Sequence, residues 1–127
     1  MIRPQYHFRE SSEGLLAWDV RRLVKLSENF TINSVKLTSI KEIDDTYWYD
    51  LEGAIPTCRN IAEHAKLIND ADLQYPIILC EDGKIMDGMH RVCKALLLDK
   101  KSILVVQFKK YIDPDFINMF PDDLPYD

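Results

Sequence analysis

Apolar and polar positions along the chain change their period several times, and each period indicates a type of element. A stripe at Leu16, Val20, Leu23 and Val24 has helical spacing, whereas Pro76 to Cys80 is an unbroken apolar run typical of a buried strand. The pattern predicts a helix over residues 15–30, a strand over 33–40, a helix over 57–70, a buried strand over 76–80, a return strand over 84–86, a helix over 88–98 and a strand over 103–108.

This order of elements predicts a compact α/β fold with a small mixed sheet flanked by helices. The 127 residues fit one domain, and nearly half of them (46%) are apolar, which is enough to bury a core. The two ends differ from the centre. Residues 1–10 are an extended arm that mixes charges and aromatics, and the last twenty or so residues form an acidic tail interrupted by prolines.

The helix over residues 57–70 separates its polar side chains onto two flanks. Thr57 is its expected N-cap. Arg59 and Lys66 lie on one flank of the apolar stripe and His64 lies on the other, so one ligand cannot meet both flanks. The predicted buried stripe is Cys58, Ile61, Ala62, Ala65 and Ile68.

Charge and targeting signals narrow the class of protein. The net charge is −5, which lacks the cationic surplus that drives binding to DNA or RNA. The N-terminal residues have no apolar signal region and no run is long enough for a membrane span, so a cytoplasmic protein is expected. The three cysteines, Cys58, Cys80 and Cys93, form no CxxC pair, and we expect them to be reduced and buried.

The segment over residues 41–56 is a candidate functional loop. It places several acids around Tyr47, Trp48 and Tyr49, and Gly53 and Pro56 break any regular element. Long loops of this composition either carry function or are surface loops pinned by their aromatics, and both interpretations stay open here. The acids are Asp44, Asp45, Asp50 and Glu52.

The stretch "DGMHR" stands between a predicted strand and a predicted helix, and its chemistry suits an anion. The first backbone N–H groups of a helix attract negative charge, and a glycine such as Gly88 lets a ligand approach the backbone. Arg91 can bind phosphate oxygens in a fork, His90 can donate to phosphate or move a proton, and Asp87 can cap the helix, bind a cation or act as a base. The alternative is structural: a cap, an eased turn and two solvated side chains.

The stretch "YPIILCEDGKIMDGMHRVCKALLLDKKSILVVQF" resembles the ParB/sulfiredoxin superfamily. The earlier "VKLTSI" and "TCRNIAEHAKLIND" stand where that family has its first strand and the following helix, so the resemblance covers roughly residues 32–108. The shared pattern is a Pro-led strand, an acidic-Gly turn, a return strand, a D-G-x-H-R motif opening a helix, and a closing strand. The resemblance implies that Gly88, Met89, His90 and Arg91 hold the phosphates of a nucleotide such as ATP or CTP. In its sulfiredoxin branch, polar residues of the preceding helix also reach the phosphates, which implies a role for Arg59 and Lys66.

The chain also departs from that family. Met89 stands where sulfiredoxins have their reactive cysteine, and a thioether forms no thiolate, so sulfiredoxin chemistry is excluded at that position. Partitioning ParB proteins carry a helix-turn-helix domain after this region, whereas only the acidic tail follows here. DNA partitioning in that form is therefore not expected.

The sequence supports a ranked set of functions, with catalysis left open. The first is nucleotide binding, including phosphotransfer or nucleotide hydrolysis with Asp87 and His90 as catalytic residues and Mg²⁺ held by Asp87 or the loop acids. The second is a non-catalytic module for a protein partner or DNA, using the acidic tail and an arm that contains Arg3 and Arg9. The third is a metal-dependent nuclease based on the loop acids. On the flank opposite Arg59 and Lys66, His64 is kept as a partner of His90 in proton transfer.

Overall fold

A four-stranded mixed sheet, a three-stranded antiparallel sheet and three helices form the α/β architecture of this chain. The structure is a computed structural model that describes residues 5–51 and 54–126. In chain order the elements are β1 (Tyr6–Ser11), β2 (Gly14–Asp19), α1 (Val20–Ser27), β3 (Asn33–Lys36), α2 (Cys58–Asp70), β4 (Ile77–Leu79), β5 (Ile85–Asp87), α3 (Met89–Leu97), β6 (Ser102–Gln107) and β7 (Phe116–Ile117).

The mixed sheet has the strand order β3-β6-β4-β5. Strands β4 and β5 form an antiparallel hairpin, as predicted, closed by Gly83 N–H donating to the Cys80 carbonyl at 2.9 Å. Strand β6 runs parallel to β4, so β5 and α3 lie in the crossover between them. This topology places the start of α3 at the end of the hairpin, beside the first residue of β4.

Both faces of the mixed sheet are covered. On one face Ile77, Leu79 and Ile85 pack with the buried residues of α3, and on the other face Ile78 and Met86 pack with Trp18 and Leu23. Successive residues of a strand point to opposite faces, so a strand covered on both sides reads as a continuous apolar run. The prediction of a buried strand from residues 76–80 is confirmed.

The N-terminal segment differs from the prediction, because residues 15–30 do not form one helix. Strand β2 takes the first part and pairs with all six residues of β1, and helix α1 begins only at Val20. Asp19 caps this helix by accepting from Arg21 N–H at 2.9 Å. Tertiary pairing therefore outweighs the helical pattern here: Trp18 is 1% exposed and donates its Nε1–H to the Ile112 carbonyl at 2.7 Å.

Helix α2 has the predicted bounds and cap, but its buried stripe was wrong. Thr57 Oγ1 accepts from Asn60 N–H at 3.1 Å, which confirms the N-cap. No residue of α2 is buried, and Asn60, His64 and Ile68 are the half-buried ones, because the helix packs at the edge of the fold rather than over a sheet. Ile61 is 53% exposed. Of the other predicted stripe residues, Ile68 is half-buried, and Cys58, Ala62 and Ala65 are exposed.

The cysteines divide by environment. All three are free thiols, as expected for a chain without a disulfide framework. Cys80 is buried, Cys93 is half-buried and Cys58, at the first position of α2, is exposed, so the expectation of three buried thiols was wrong for Cys58. The error has the same origin as the wrong stripe, since Cys58 was placed on the face of α2 that turns outward.

Candidate functional site

The turn from β5 into α3 requires glycine at residue 88. Gly88 has φ +114°, a conformation that other residues rarely adopt, and it occupies the N-cap position of α3 without a side-chain cap. A Cβ at this position would lie 2.5 Å from Ile77 Cγ2. The glycine therefore lets α3 begin directly against β4, with its first backbone N–H groups not used by the helix itself. Asp87 was considered as the cap, and that prediction was wrong.

Arg91 is held by the protein itself. Its Nη2 donates to Asp87 Oδ2 at 2.8 Å, and its Nη1 donates to the carbonyls of Tyr75 and Pro76 at 3.1 and 2.8 Å. The side chains of the ion pair are only 16% and 21% exposed. Arg91 thus ties the first turn of α3 to the start of β4, and the expected fork onto phosphate oxygens stays a prediction with much of the guanidinium already in use.

Met89 presents only its backbone to the turn. Its side chain is 5% exposed and belongs to the core cluster between α3 and the mixed sheet. The nearest thiol along α3, that of Cys93, is half-buried, and burial raises its pKa. A raised pKa disfavours the thiolate, so neither residue offers sulfiredoxin-type chemistry at this turn.

Two histidines meet beneath a tryptophan beside the turn. His64 Nδ1 and His90 Nε2 are 2.8 Å apart and share a hydrogen bond between α2 and α3. The Trp48 indole lies over both imidazoles, with ring centroids 4.1 Å from His64 and 4.6 Å from His90 and all three planes within 21° of one another. We call these three residues the histidine–tryptophan stack.

The stack keeps both imidazoles neutral near pH 7. Burial lowers the pKa of His90 to about 4, with smaller contributions from His64 and Arg91. Burial also lowers the pKa of His64, against the opposing effect of Glu63. Because two neutral rings share one hydrogen bond, one of them donates and the other accepts, and each keeps a second ring nitrogen for another partner.

The two flanks of α2 separate as the helical pattern indicated. His64 contacts the turn through His90, whereas Arg59 and Lys66 line a shallow depression on the outer side of α2 with Cys58, Ala62 and Glu63. Lys66 Nζ lies 3.3 Å from Asp70 Oδ2 in an exposed pair. The structure therefore brings His64 to the D-G-x-H-R turn and leaves Arg59 and Lys66 away from it.

A cavity of about 580 Å³ opens in front of the turn. Its walls come from three distant parts of the chain: strand β1, the acidic and aromatic loop, and the start of α3 from Asp87 to His90. The arm and the loop, which the sequence treated as separate features, thus face the same space. The charged residues of the wall are Arg9, Glu10, Glu42, Asp45, Asp50, Lys84 and Asp87.

Arg9 is the most enclosed cation of this wall. Its Nε donates to His7 Nε2 at 3.0 Å, and its guanidinium carbon lies 5.6 Å from the centre of the Trp18 ring. Its Nη2 is buried and has no hydrogen-bond partner among the described residues. A buried N–H group without a partner is costly to the stability of the fold.

Glu42 joins the loop to the edge of the mixed sheet. Its Oε1 accepts from Ile85 N–H at 2.5 Å, so it covers the free edge of β5 within the cavity wall. Burial raises the pKa of Glu42, and the hydrogen bond from Ile85 opposes that effect. This carboxylate therefore has a structural partner already. Neither Glu42 nor His7 was singled out from the sequence.

His7 predicts a measurable dependence of stability on pH. Burial, with the nearby Arg9, lowers the pKa of His7 from 6.5 to about 3, so the unfolded chain takes up a proton that the folded protein excludes. Its stabilising contribution is fully present above the unfolded pKa and is lost as the pH falls through 6.5 towards 3.

We expect the free energy of unfolding to fall between pH 7 and pH 5 by about 2 kcal/mol more in the wild type than in His7→Gln, at about 1.4 kcal/mol per pH unit. Glutamine retains an acceptor for Arg9 but does not titrate. Urea denaturation of both proteins at the two pH values measures the difference. The titration of His64, His90 and Glu42 contributes equally to both proteins and therefore cancels. Equal losses of stability would contradict the assignment.

The described acids of the loop, Asp44, Asp45 and Asp50, belong to no group of side chains that could hold a metal ion. Within residues 5–51 and 54–126, no three His, Cys, Asp or Glu side chains are grouped so that they could hold a metal ion. Asp45 and Asp50 line the cavity, and Thr46 Oγ1 donates to Asp50 Oδ1 at 2.5 Å. Arg3 of the arm and Glu52 of the loop, both named from the sequence, lie outside the described residues.

Comparison with protein-family models, with curated proteins and with solved structures finds no match to this chain. In the described parts of the chain, no helix has the length and apolar character that crossing a membrane requires. The chemistry of the cavity is therefore the ground on which a function is argued.

Proposed function

We propose that this protein binds a phosphate-bearing ligand of the nucleotide class in the cavity in front of α3. The observation that carries the proposal is the uncapped start of α3, which opens at Gly88 and Met89 into a cavity that Arg9 also lines. Backbone N–H groups at a helix start, together with an enclosed guanidinium, match the oxygens of a phosphate group.

Arg9 and Lys84 are the two cations of a wall that also carries five carboxylates, so Mg²⁺ bound to the phosphates would offset the excess negative charge. Arg9 and Lys84 line the cavity together with the start of α3, and His90 adds a neutral ring that can donate a hydrogen bond. In this proposal Arg91 acts indirectly, because it fixes Asp87 and the first turn of α3 through three hydrogen bonds. The resemblance to the ParB/sulfiredoxin superfamily implies phosphates at the same turn and supports the proposal.

The remaining wall suits the rest of a nucleotide. The cavity volume of about 580 Å³ lies in the range typical of small-molecule and cofactor sites. Tyr47 and Trp48 line it from the loop, and aromatic side chains of this class are those on which a base can stack. Nucleotide-bound Mg²⁺ usually takes one or two protein carboxylates beside the phosphates, and Asp45, Asp50 and Asp87 of this wall are the candidates for that role.

Nucleotide-dependent thermal stabilisation tests this proposal. Purified protein is heated with ATP, CTP, GTP or inorganic phosphate, and at least one nucleotide is expected to raise the melting temperature in a concentration-dependent way. Arg9→Gln should weaken the affinity for that nucleotide by at least about tenfold, since a hydrogen bond from a charged donor contributes about 1.5–3 kcal/mol.

The matched comparison is Arg59→Gln, the same substitution on the outer flank of α2, which should leave the affinity within about twofold of the wild type. Each affinity is referred to the melting temperature of the same variant without nucleotide, so a change in fold stability is not mistaken for a change in binding. Weakening by Arg59→Gln but not by Arg9→Gln would place the ligand on the outer flank. Absence of stabilisation by every nucleotide would overturn the proposal.

A further inference from the structure

The free edge of strand β1 borders the cavity. In the three-stranded sheet, whose order is β1-β2-β7, β1 pairs with β2 on one side only. Every residue from 5 to 10 lines the cavity, although successive side chains of a strand point to opposite faces. A cavity that meets all of them lies along the edge of the strand, where a ligand can reach the backbone, rather than over one face.

The pairing of β1 with β2 determines which backbone groups remain at that edge. Val20 N–H donates to the Gln5 carbonyl at 2.9 Å, and the antiparallel register continues from this pair, so the odd-numbered residues of β1 bond to β2. The N–H and C=O groups of Tyr6, Phe8 and Glu10 therefore point to the free edge. Within residues 5–51 and 54–126, these groups have no hydrogen-bond partner.

The edge of the mixed sheet at the same cavity is covered, in contrast to β1. Glu42 Oε1 accepts from Ile85 N–H at 2.5 Å, so a side chain takes the place of a further strand beside β5. Proteins commonly cover or charge the exposed edges of their sheets, because unpaired backbone groups there invite another strand. The described residues place no such cover on β1, so its edge is open to an extended segment.

The two faces of β1 would give an added strand different surroundings. Tyr6 and Phe8 point to one face, with ring centroids 6.2 Å apart. His7 and Arg9 point to the other face, where His7 stacks on Tyr47 with ring centroids 6.4 Å apart. One face is therefore aromatic, and the other adjoins the loop that carries the acidic residues.

The charge of the wall favours a cationic segment. Against the two cations Arg9 and Lys84, five carboxylates line the cavity: Glu10, Glu42, Asp45, Asp50 and Asp87. Side chains of an added strand alternate between the two faces of the sheet. Apolar side chains would thus meet the aromatic face at every second position, and basic side chains would meet the loop carboxylates at the positions between.

We propose that the free edge of β1 binds an extended basic peptide, which joins the three-stranded sheet as an antiparallel strand. The peptide residues opposite Tyr6 and Phe8 exchange backbone hydrogen bonds with them, and their apolar side chains lie on the same face. The strand Tyr6–Ser11 has six residues and so extends over about 20 Å, which a six-residue peptide matches. This site uses β1 and not the start of α3, so it goes beyond the nucleotide proposal and does not depend on it.

Binding of a labelled peptide with the sequence Lys-Val-Lys-Val-Lys-Val, blocked at both ends, tests the proposal by fluorescence anisotropy with the full chain. The peptide should bind, and its affinity should fall as the salt concentration rises. The matched peptide Glu-Val-Glu-Val-Glu-Val has the same length and strand pattern with the opposite charge, and it should bind at least about tenfold more weakly. Equal binding of the two peptides, or binding of neither, would overturn the proposal.

Methylation of single peptide nitrogens tests the pairing itself. In the proposed strand the valine N–H groups donate to β1, whereas the lysine N–H groups point away from it. A methyl group on the nitrogen of the middle valine should therefore weaken binding at least about tenfold, since it removes a backbone hydrogen bond and leaves an acceptor on β1 unpaired. The same group on the middle lysine should change the affinity by less than about threefold. Equal effects at the two positions would contradict antiparallel pairing with β1.

Amide hydrogen exchange of the ¹⁵N-labelled protein locates the bound peptide. At saturation the amides of Tyr6, Phe8 and Glu10 should exchange at least about tenfold more slowly, whereas those of His7 and Arg9, already paired with β2, should change much less. Protection confined to other parts of the chain would overturn the proposal. Protection of the same three amides that rises with protein concentration in the absence of peptide would assign the edge to a second copy of this chain instead.

The two proposals fail separately. The probe peptide carries no phosphate, so absence of nucleotide binding leaves the β1 site unaffected. Absence of peptide binding, with nucleotide-dependent stabilisation intact, would overturn the β1 site and leave the nucleotide proposal standing.

Discussion

Replacement of Gly88 by alanine is expected to lower the free energy of unfolding by about 3–4 kcal/mol. The backbone at Gly88 has φ +114°, which is strained for any L-residue with a side chain and costs about 1–3 kcal/mol. The new Cβ would also stand 2.5 Å from Ile77 Cγ2 and 2.9 Å from Ile77 Cβ. Ile77 is fully buried, so it cannot move aside without disturbing the core, and overpacking adds about 1–3 kcal/mol.

Gly83→Ala is the matched control for this prediction. Gly83 also has a positive φ, +82°, but an added Cβ there would meet only Gln107 Nε2, at 4.0 Å. This substitution should therefore cost only the backbone strain, about 1–2 kcal/mol. Urea denaturation of both variants gives the difference, and equal losses at the two positions would contradict a close approach of α3 to β4.

Arg91→Ala is expected to destabilise the fold by about 3 kcal/mol, in addition to any effect on a ligand. The substitution removes hydrogen bonds to the carbonyls of Tyr75 and Pro76 and leaves Asp87, which is only 21% exposed, without its cation. Hydrogen bonds from charged donors contribute about 1.5–3 kcal/mol, and an uncompensated, partly buried charge adds to the loss.

A double-mutant cycle with Asp87→Asn separates the ion pair from the carbonyl contacts. The coupling between Arg91→Ala and Asp87→Asn should exceed about 1 kcal/mol, since the neutral amide no longer suffers from the missing cation. The remaining loss belongs to the tie between α3 and the start of β4. Additive effects, or a loss below about 0.5 kcal/mol for Arg91→Ala, would show that this guanidinium is not a structural tie.

This structural role changes how the D-G-x-H-R motif is tested. A variant of Arg91 that fails to bind nucleotide would not show that the guanidinium touches the ligand, because the site around Asp87 and Gly88 depends on it. Arg9 is the better probe, since it lines the cavity from β1 and its side-chain hydrogen bond goes to His7 rather than to the start of α3.

Local signals predicted the central part of the fold. The apolar run of β4, the Asp82–Gly83 turn and the return strand are all encoded within a dozen residues, and the structure confirms the hairpin. Helix α3 begins at Met89, within one residue of the prediction, because Gly88 is a strong local boundary. Turn chemistry and strand patterning act over short distances, so a single sequence reveals them.

The N-terminal half was harder because its elements depend on distant partners. Residues of β2 have a helical apolar pattern, yet they pair with β1 on one side and β7 on the other. The burial of Trp18 uses the carbonyl of Ile112, 94 positions away. Such non-local contacts override local propensity, and nothing in the nearby sequence announces them.

The candidate site shows the same division between local and distant information. The start of α3 follows from the local glycine signal at Gly88. The separation of His64 from Arg59 and Lys66 follows from residue spacing along α2. The walls formed by His7, Arg9 and Glu42 come from segments that only the tertiary structure brings to the turn. The sequence indicated that Trp48 belongs to a candidate functional loop. It did not predict that Trp48 stacks on two histidines.

Titration of ¹⁵N-labelled protein with the nucleotide that stabilises it most tests the central claim directly, through backbone amide shifts. A ligand held at the start of α3 should shift the amide signals of Gly88, Met89 and His90 most strongly, with smaller changes along β1. The same titration of Arg9→Gln should need a correspondingly higher concentration. Shifts concentrated at Arg59 and Lys66, with the amides of residues 88–90 unmoved, would contradict the claim that the D-G-x-H-R turn holds the phosphate.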